Sequence, residues 1–208
     1  MKRLFVLLVL VVASAGAFGA APAQVPLILV FGDSISAGYG LERVEQGWVA
    51  LLQARLKSQE YVYQVVNASV SGETTTGGLA RLPRALLLHQ PKIVILELGG
   101  NDGLRALPIA QMRANLKRMV DLSTAAGAKV LLLGMRIPPN YGPEYTEQFR
   151  VSYSDLAHDA KLPLVPFLLN DIALTPALMQ ADGFHPNDLG QPKLLDNVWP
   201  SLTPLLHR

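Results

Sequence analysis

The stretch Pro26-Leu27-Ile28-Leu29-Val30-Phe31-Gly32-Asp33-Ser34 is an uninterrupted apolar run that stops abruptly in turn residues. Nothing polar alternates within it, so neither face of the strand it forms is meant for water. Such strands belong in parallel sheets covered by helices on both sides. Ile93 to Leu98 and Val130 to Leu133 are similarly continuous, and Tyr61 to Val66 adds another strand. Leu162 to Phe167 reads as a fifth strand, suited to an edge because Pro163 and Pro166 cannot donate to a central ladder. Helical spacing fills the intervals: Gly47 to Ser58, about Thr75 to His89, Ala110 to Ala126 and Glu144 to Ala160. Asn187 to Leu205 supplies a last helix, interrupted near Pro192 and Pro200. Strands alternating with crossover helices predict an α/β fold, a single three-layer α/β/α sandwich with no internal repeat or linker.

Ahead of the first strand, Lys2 and Arg3 precede an apolar run from Leu4 to Val12 and then small residues from Ala13 to Ala23. This pattern predicts a signal peptide over residues 1–23, with cleavage candidates after Ala17, Ala21 and Ala23, and one domain over 24–208. An uncleaved anchor is the competing reading, since Leu4 to Ala23 is about the length of a bilayer span. No later stretch is long and apolar enough to cross a membrane. The chain has no cysteine, which excludes disulfides and lipid attachment at an N-terminal cysteine. Without Lys2 and Arg3 the basic residues number 18 − 2 = 16, equal to the 16 acidic ones. The remaining domain is formally neutral and lacks a basic stripe interleaved with aromatics, which disfavours nucleic acid as a partner. An exported protein, periplasmic or secreted, is the expected outcome.

Polar motifs cluster where a parallel sheet binds ligands, beyond the carboxyl ends of its strands. Ser34 follows the first strand, Gly72 lies just past the second, Asn101 follows the third, and His185 stands before the last helix. A serine hydroxyl becomes nucleophilic only beside a base, and His185 is the histidine with motif context among His89, His158, His185 and His207. Asp182, three residues earlier with Gly183 between, can fold back to orient the imidazole. Backbone N–H groups of Ser34 and Gly72 and the side-chain amide of Asn101 offer three donors for an oxyanion. Each segment alone also reads as ordinary turn or capping chemistry: Gly-Asp-Ser as a helix cap, Asp182 as an Asx turn, and Pro186-Asn187 as a helix start. Asp33, Asp102, Asp182 and His185 could gather round a cation, yet no short metal-ligand motif accompanies them, so no metal and no cofactor are expected. Glu97 interrupts an apolar strand and is read as a buried structural partner, with Asp33 and Asp102 organising loops.

Taken together, Phe31-Gly32-Asp33-Ser34-Ile35-Ser36-Ala37-Gly38-Tyr39-Gly40, Ser71-Gly72-Glu73-Thr74-Thr75, Glu97-Leu98-Gly99-Gly100-Asn101-Asp102-Gly103-Leu104-Arg105, Pro139-Asn140-Tyr141-Gly142 and Asp182-Gly183-Phe184-His185 resemble the SGNH hydrolases, or GDSL esterases. The likeness is to the bacterial branch of thioesterase I, lysophospholipase L1 and arylesterase, and it runs from about Leu27 to the last helix. It implies a flavodoxin-like sheet of five parallel strands in the order 2-1-3-4-5. It also implies Ser34 as nucleophile, His185 as general base and acid, Asp182 as its orienting partner, and Ser34, Gly72 and Asn101 as the oxyanion hole. Gly103 to Pro108 would form a mobile loop over an acyl groove, with Gly103, Leu104, Arg105, Leu107, Pro108 and Tyr141 as substrate-binding residues. The Gly-x-Ser-x-Gly elbow of the α/β-hydrolases does not occur.

The resulting expectation is hydrolysis of a small-molecule ester, lysophospholipid or acyl thioester through an acyl-enzyme. Export would turn the natural substrate from cytoplasmic acyl-CoA toward lysophospholipids and other esters. The alternative is a noncatalytic envelope protein that holds lipids or acyl ligands in the same crevice.

Overall fold

In the computed structural model, residues 25–208 are described, and the expected signal peptide lies outside them. The strands are β1 (Leu27–Gly32), β2 (Gln64–Asn67), β3 (Ile93–Glu97), β4 (Lys129–Leu133) and β5 (Leu164–Val165). They form one parallel sheet in the order β2-β1-β3-β4-β5. The central pair is in register from Ile28 opposite Ile93 to Gly32 opposite Glu97. β1, β3 and most of β4 are buried, as their unbroken apolar runs require.

The helices are α1 (Ser34–Ala37), α2 (Trp48–Ser58), α3 (Thr75–His89), α4 (Gly100–Leu104), α5 (Ile109–Ala125), α6 (Pro143–Asp159) and α7 (Gln191–Leu202). α2 packs with α7, while α3, α5 and α6 pack in a row. Right-handed crossovers account for the two groups: β1 to β2 runs one way across the sheet and every later crossover runs the other, so their helices cover opposite faces. The start of α2 is joined to the start of α7 by Trp48 N donating to Gln191 Oε1 at 3.0 Å.

Differences from the sequence expectations lie at the margins. β2 covers only the later part of the Tyr61 to Val66 run and extends to Asn67, and β5 shrinks to two residues between Pro163 and Pro166. Both are edge strands, where one neighbour instead of two sustains pairing, and in β5 the flanking prolines also interrupt it. The last helix begins at Gln191, since the Asn187 carboxamide bonds Leu189 N and Gly190 N in a turn of its own. The helical turns α1 and α4 follow directly on β1 and β3 and are too short to show a period.

One buried polar cluster ties three of these helices together. Asp102 in α4 accepts from Thr75 N at 2.8 Å and Thr75 Oγ1 at 2.6 Å, and Asn115 Nδ2 of α5 donates to Thr75 Oγ1 at 3.1 Å. Asp102 thus organises a loop junction, as its sequence context suggested. Thr75→Val removes a hydroxyl donor from a buried carboxylate and is expected to destabilise the fold by about 1.5–3 kcal/mol. Urea denaturation of the purified variant measures the loss.

Candidate active site

Ser34 is the first residue of α1, immediately past β1, and the Asp33 side chain caps that turn by accepting from Ile35 N at 3.1 Å. Its hydroxyl therefore projects from the carboxyl edge of the sheet with its backbone N–H unused by the helix. His185 reaches it from the loop before α7, with Nε2 at 2.8 Å from Ser34 Oγ. On the far side of the ring, Nδ1 is 2.6 Å from Asp182 Oδ2. A carboxylate only accepts, so Nδ1 carries the proton and Nε2 is the acceptor facing the serine hydroxyl.

The Asp182 loop is shaped to make this contact. Gly183 takes φ +71°, and Asp182 Oδ1 accepts from Phe184 N at 2.9 Å and His185 N at 3.0 Å. Desolvation is the largest single influence and raises the Asp182 carboxyl, but the hydrogen bonds from the His185 ring, Phe184 N and His185 N, with the His185 charge, together outweigh it and hold the group below its ordinary range. Gln180 steadies the same loop: its N donates to His185 O at 2.7 Å, while its Nε2 donates to Tyr39 O at 2.8 Å and Pro186 O at 3.1 Å. Tyr39 lies against the imidazole with ring centroids 4.7 Å apart. Neither Gln180 nor Tyr39 was singled out for a role from the sequence, although Tyr39 falls in the Phe31 to Gly40 stretch, because their contacts with the His185 loop form only across the folded chain.

Asn101 lies in α4, after Gly99 at φ +112°, and its Nδ2 donates to Asp33 Oδ2 at 3.1 Å. The second hydrogen of that amide is left to address the site. Gly72 turns through φ +77° beyond β2, a backbone angle that favours glycine, and faces the same cavity. Beneath them, Glu97 accepts from Asp33 N at 3.1 Å and Ser36 Oγ at 2.7 Å. Among the described residues no group of three or more His, Cys, Asp or Glu is arranged to hold a metal ion.

Ser34, Gly72, Asn101 and His185 all open on one cavity of about 610 Å³. Of the residues expected to bind substrate, Leu104 lines it, whereas Gly103, Arg105, Leu107, Pro108 and Tyr141 stand behind or beside it. The first two residues of the expected loop are instead the end of α4. Gly103 is buried against Ile137 and Phe149, where a Cβ would fall 2.6 Å from each. Arg105 turns away to donate to Gly72 O at 3.0 Å, Tyr141 donates to Leu104 O at 2.7 Å, and Leu107 O accepts from Tyr145 at 2.8 Å. Pro108 precedes α5 as its N-terminal cap residue. The walls come largely from segments after β4 and β5, including Met135, Ile137, Phe167 and Leu169. Their place past the strand ends was the available signal.

A parallel sheet in this order, with a Ser-His-Asp relay at its carboxyl edge, is the framework of an SGNH-type serine hydrolase. A model of the GDSL-like Lipase/Acylhydrolase family matches residues 30–192. Esterase TesA of Pseudomonas aeruginosa is 55% identical over 179 residues, 86% of this chain and 89% of that protein. Thioesterase 1/protease 1/lysophospholipase L1 of Escherichia coli is 43% identical over 180 residues, 86% and 85% of the two chains. The crystal structure of the psychrotrophic esterase EstA from Pseudoalteromonas sp., inhibited by monoethylphosphonate, superposes with a TM-score of 0.81 at 42% identity, covering 86% of this chain and 97% of that one. The chain belongs to the GDSL-like lipase/acylhydrolase family. It is an enzyme of ester and thioester hydrolysis, which sets aside the noncatalytic binder.

The buried Asp33 carboxyl gives the site a measurable signature. Burial pushes it from about 3.8 up to about 6, against the opposing effects of Ile35 N, the His185 charge and contacts from Glu97 and Asn101. Between those values the folded protein binds the proton more tightly than the unfolded chain, so this group makes stability fall as pH rises. Asp33→Asn should flatten the decline between about pH 4 and about pH 6. Urea titrations of both proteins across that range are the check.

Proposed function

We propose that Ser34 is the nucleophile, His185 the general base and then acid, and Asp182 the residue that holds the imidazole in its reactive tautomer. The supporting observation is the continuous relay, 2.6 Å from Asp182 to His185 and 2.8 Å from His185 to Ser34, opening into a largely apolar cavity. Ser34 Oγ attacks the acyl carbonyl as its proton passes to His185 Nε2. Negative charge develops on the carbonyl oxygen, where Ser34 N, Gly72 N and the free hydrogen of Asn101 Nδ2 converge. Collapse breaks the C–O or C–S bond, and the leaving group takes the proton from Nε2. Water then attacks the acyl-enzyme through the same base, releasing the acid and restoring the serine.

The apolar walls favour acyl chains, and the substrate class is a small ester or thioester. Leu104, Met135, Ile137, Phe167, Leu169 and Met179 present hydrocarbon, which suits a fatty acyl group better than a polar one. Residues 1–23 fit a cleaved export segment, with Lys2 and Arg3 before the Leu4 to Val12 run. Among the described residues no helix is long and apolar enough to cross a membrane. A periplasmic or secreted enzyme would meet lysophospholipids and other carboxylic esters before cytoplasmic acyl-CoA. The esterase neighbour inhibited by monoethylphosphonate is consistent with an attacking serine.

Ser34→Ala is expected to abolish fluorophosphonate labelling and turnover of p-nitrophenyl acyl esters while leaving the fold intact; undiminished turnover rules out the mechanism. Asn101→Ala should lower kcat by about 10²–10³. An unchanged kcat removes that amide from the oxyanion hole.

A further inference from the structure

Two buried carboxyl groups lie beneath the Ser34 turn, and neither belongs to the relay. Glu97 is fully buried, and its Oε2 accepts from Asp33 N at 3.1 Å and Ser36 Oγ at 2.7 Å. One oxygen therefore holds the chain on both sides of Ser34. Gly32, opposite Glu97 in the sheet, leaves room for this contact: a Cβ there would lie 2.5 Å from Oε2. The second oxygen, Oε1, is buried and receives no hydrogen bond from any N–H or O–H group.

Asp33 is the complement. Its Oδ1 accepts from Ile35 N and its Oδ2 from Asn101 Nδ2, both at 3.1 Å, and the Glu97 side chain is in hydrogen-bonding contact with it. No salt bridge joins either carboxyl to a cation among the described residues. The titratable groups facing Asp33 are Glu97 and His185, and those near Glu97 are Asp33 and the uncharged Tyr153, whose hydroxyl donates to Leu98 O at 3.0 Å. Two carboxylates so placed cannot both be ionised cheaply. Asp33 has donors on both oxygens and His185 nearby, so it is the one that carries charge. A neutral acid, in turn, accepts on one oxygen and donates from the other, which accounts for a Glu97 with two donors on Oε2 and none on Oε1.

We propose that Glu97 is a positioning residue that works as the uncharged acid: Oε2 clamps the turn bearing Ser34, and the proton it shares with Asp33 keeps that carboxylate aligned to hold the Asn101 amide. The inference rests on the reading of Ser34 as nucleophile and Asn101 as oxyanion donor. Burial first, and the Asp33 charge second, push the Glu97 carboxyl well above its ordinary range, in the same sense. Loss of the clamp disturbs the reacting geometry and the oxyanion donor together while leaving the apolar walls in place, so it acts on kcat and not on KM.

Glu97→Gln and Glu97→Leu separate this from simple packing. Glutamine keeps the acceptor and supplies N–H where the acid has O–H, without removing a charge. It should stay within about twofold of the wild-type kcat, with the acid limb of the pH profile unmoved. Leucine should lower kcat about tenfold or more with KM within about twofold, and should slow fluorophosphonate labelling of Ser34. Infrared spectra of the wild-type protein in mildly alkaline solution should show a protonated-carboxyl band that is absent from Glu97→Gln.

Each of these results overturns the proposal: a glutamine variant as impaired as the leucine one, an acid limb displaced by about one pH unit, or no protonated-carboxyl band in the wild type. Wild-type labelling keeps the two readings apart. If wild-type Ser34 is not labelled, the nucleophile assignment fails; if it is labelled and Glu97→Leu reacts equally fast, the Glu97 inference alone fails.

Discussion

The parallel pairing of β1 with β3 is the constraint on which the site depends, because it sets Gly32 opposite Glu97 at the carboxyl edge. From that register the chain leaves β1 into Asp33-Ser34 and leaves β3 into the Gly99 turn and Asn101. A slip of one residue would turn every side chain of β3 to the opposite face and carry Glu97 away from Asp33 N and Ser36 Oγ. It would also separate Asn101 Nδ2 from Asp33 Oδ2, now 3.1 Å apart. Burial of Ile28 to Phe31 against Ile93 to Leu96 opposes such a slip, so the hydrophobic core itself sets the distance between the serine and the amide.

The two sides of the site are held by different physics. Ser34 and Asn101 rest on buried carboxyl groups inside the sheet edge, where an unmade hydrogen bond is expensive. Asp182 and His185 stand on a partly exposed loop held by short-range contacts: the Asp182 bonds to Phe184 N and His185 N, the Gln180 bridge and the Tyr39 ring. Local bonds can set the imidazole tautomer and direction without deep burial, because both partners of the Asp182–His185 contact come from one turn. The relay thus joins a fixed serine to a base whose alignment is maintained by its own loop.

That division explains what was legible in the sequence. Uninterrupted apolar runs identify β1, β3 and β4, since burial on both faces leaves a composition that few other settings produce. The Asp182-Gly183-Phe184-His185 spacing carries its contact within four residues and can be read directly. Edge strands were less legible: the residues around Pro163 and Pro166 satisfy apolar patterning but lack the donors to extend a ladder. The groove walls were hidden for another reason. Met135, Ile137, Phe167 and Leu169 are ordinary apolar residues whose shared cavity exists only after β4 and β5 pair. Tyr141 and Arg105 sit in recognisable motifs, yet their polar tips reach the backbone carbonyls of Leu104 and Gly72 and support the walls from outside.

Those supports join the cavity wall to the Gly72 turn. The segment from α4 to Pro108 presents Leu104 to the cavity and, one residue later, ties Arg105 to the carbonyl of Gly72. Tyr141 and Tyr145 hold the same segment through Leu104 O and Leu107 O. A single hydrogen bond of this kind contributes only about 0.5–1.5 kcal/mol net. Three partly exposed ties hold the segment less firmly than buried ones would. The Asp102 anchor to Thr75 is buried and keeps the start of α4, with Asn101, in place. Under the proposed mechanism, an acyl chain against Leu104 would meet a wall tied mainly at the surface, beside an Asn101 amide anchored from within.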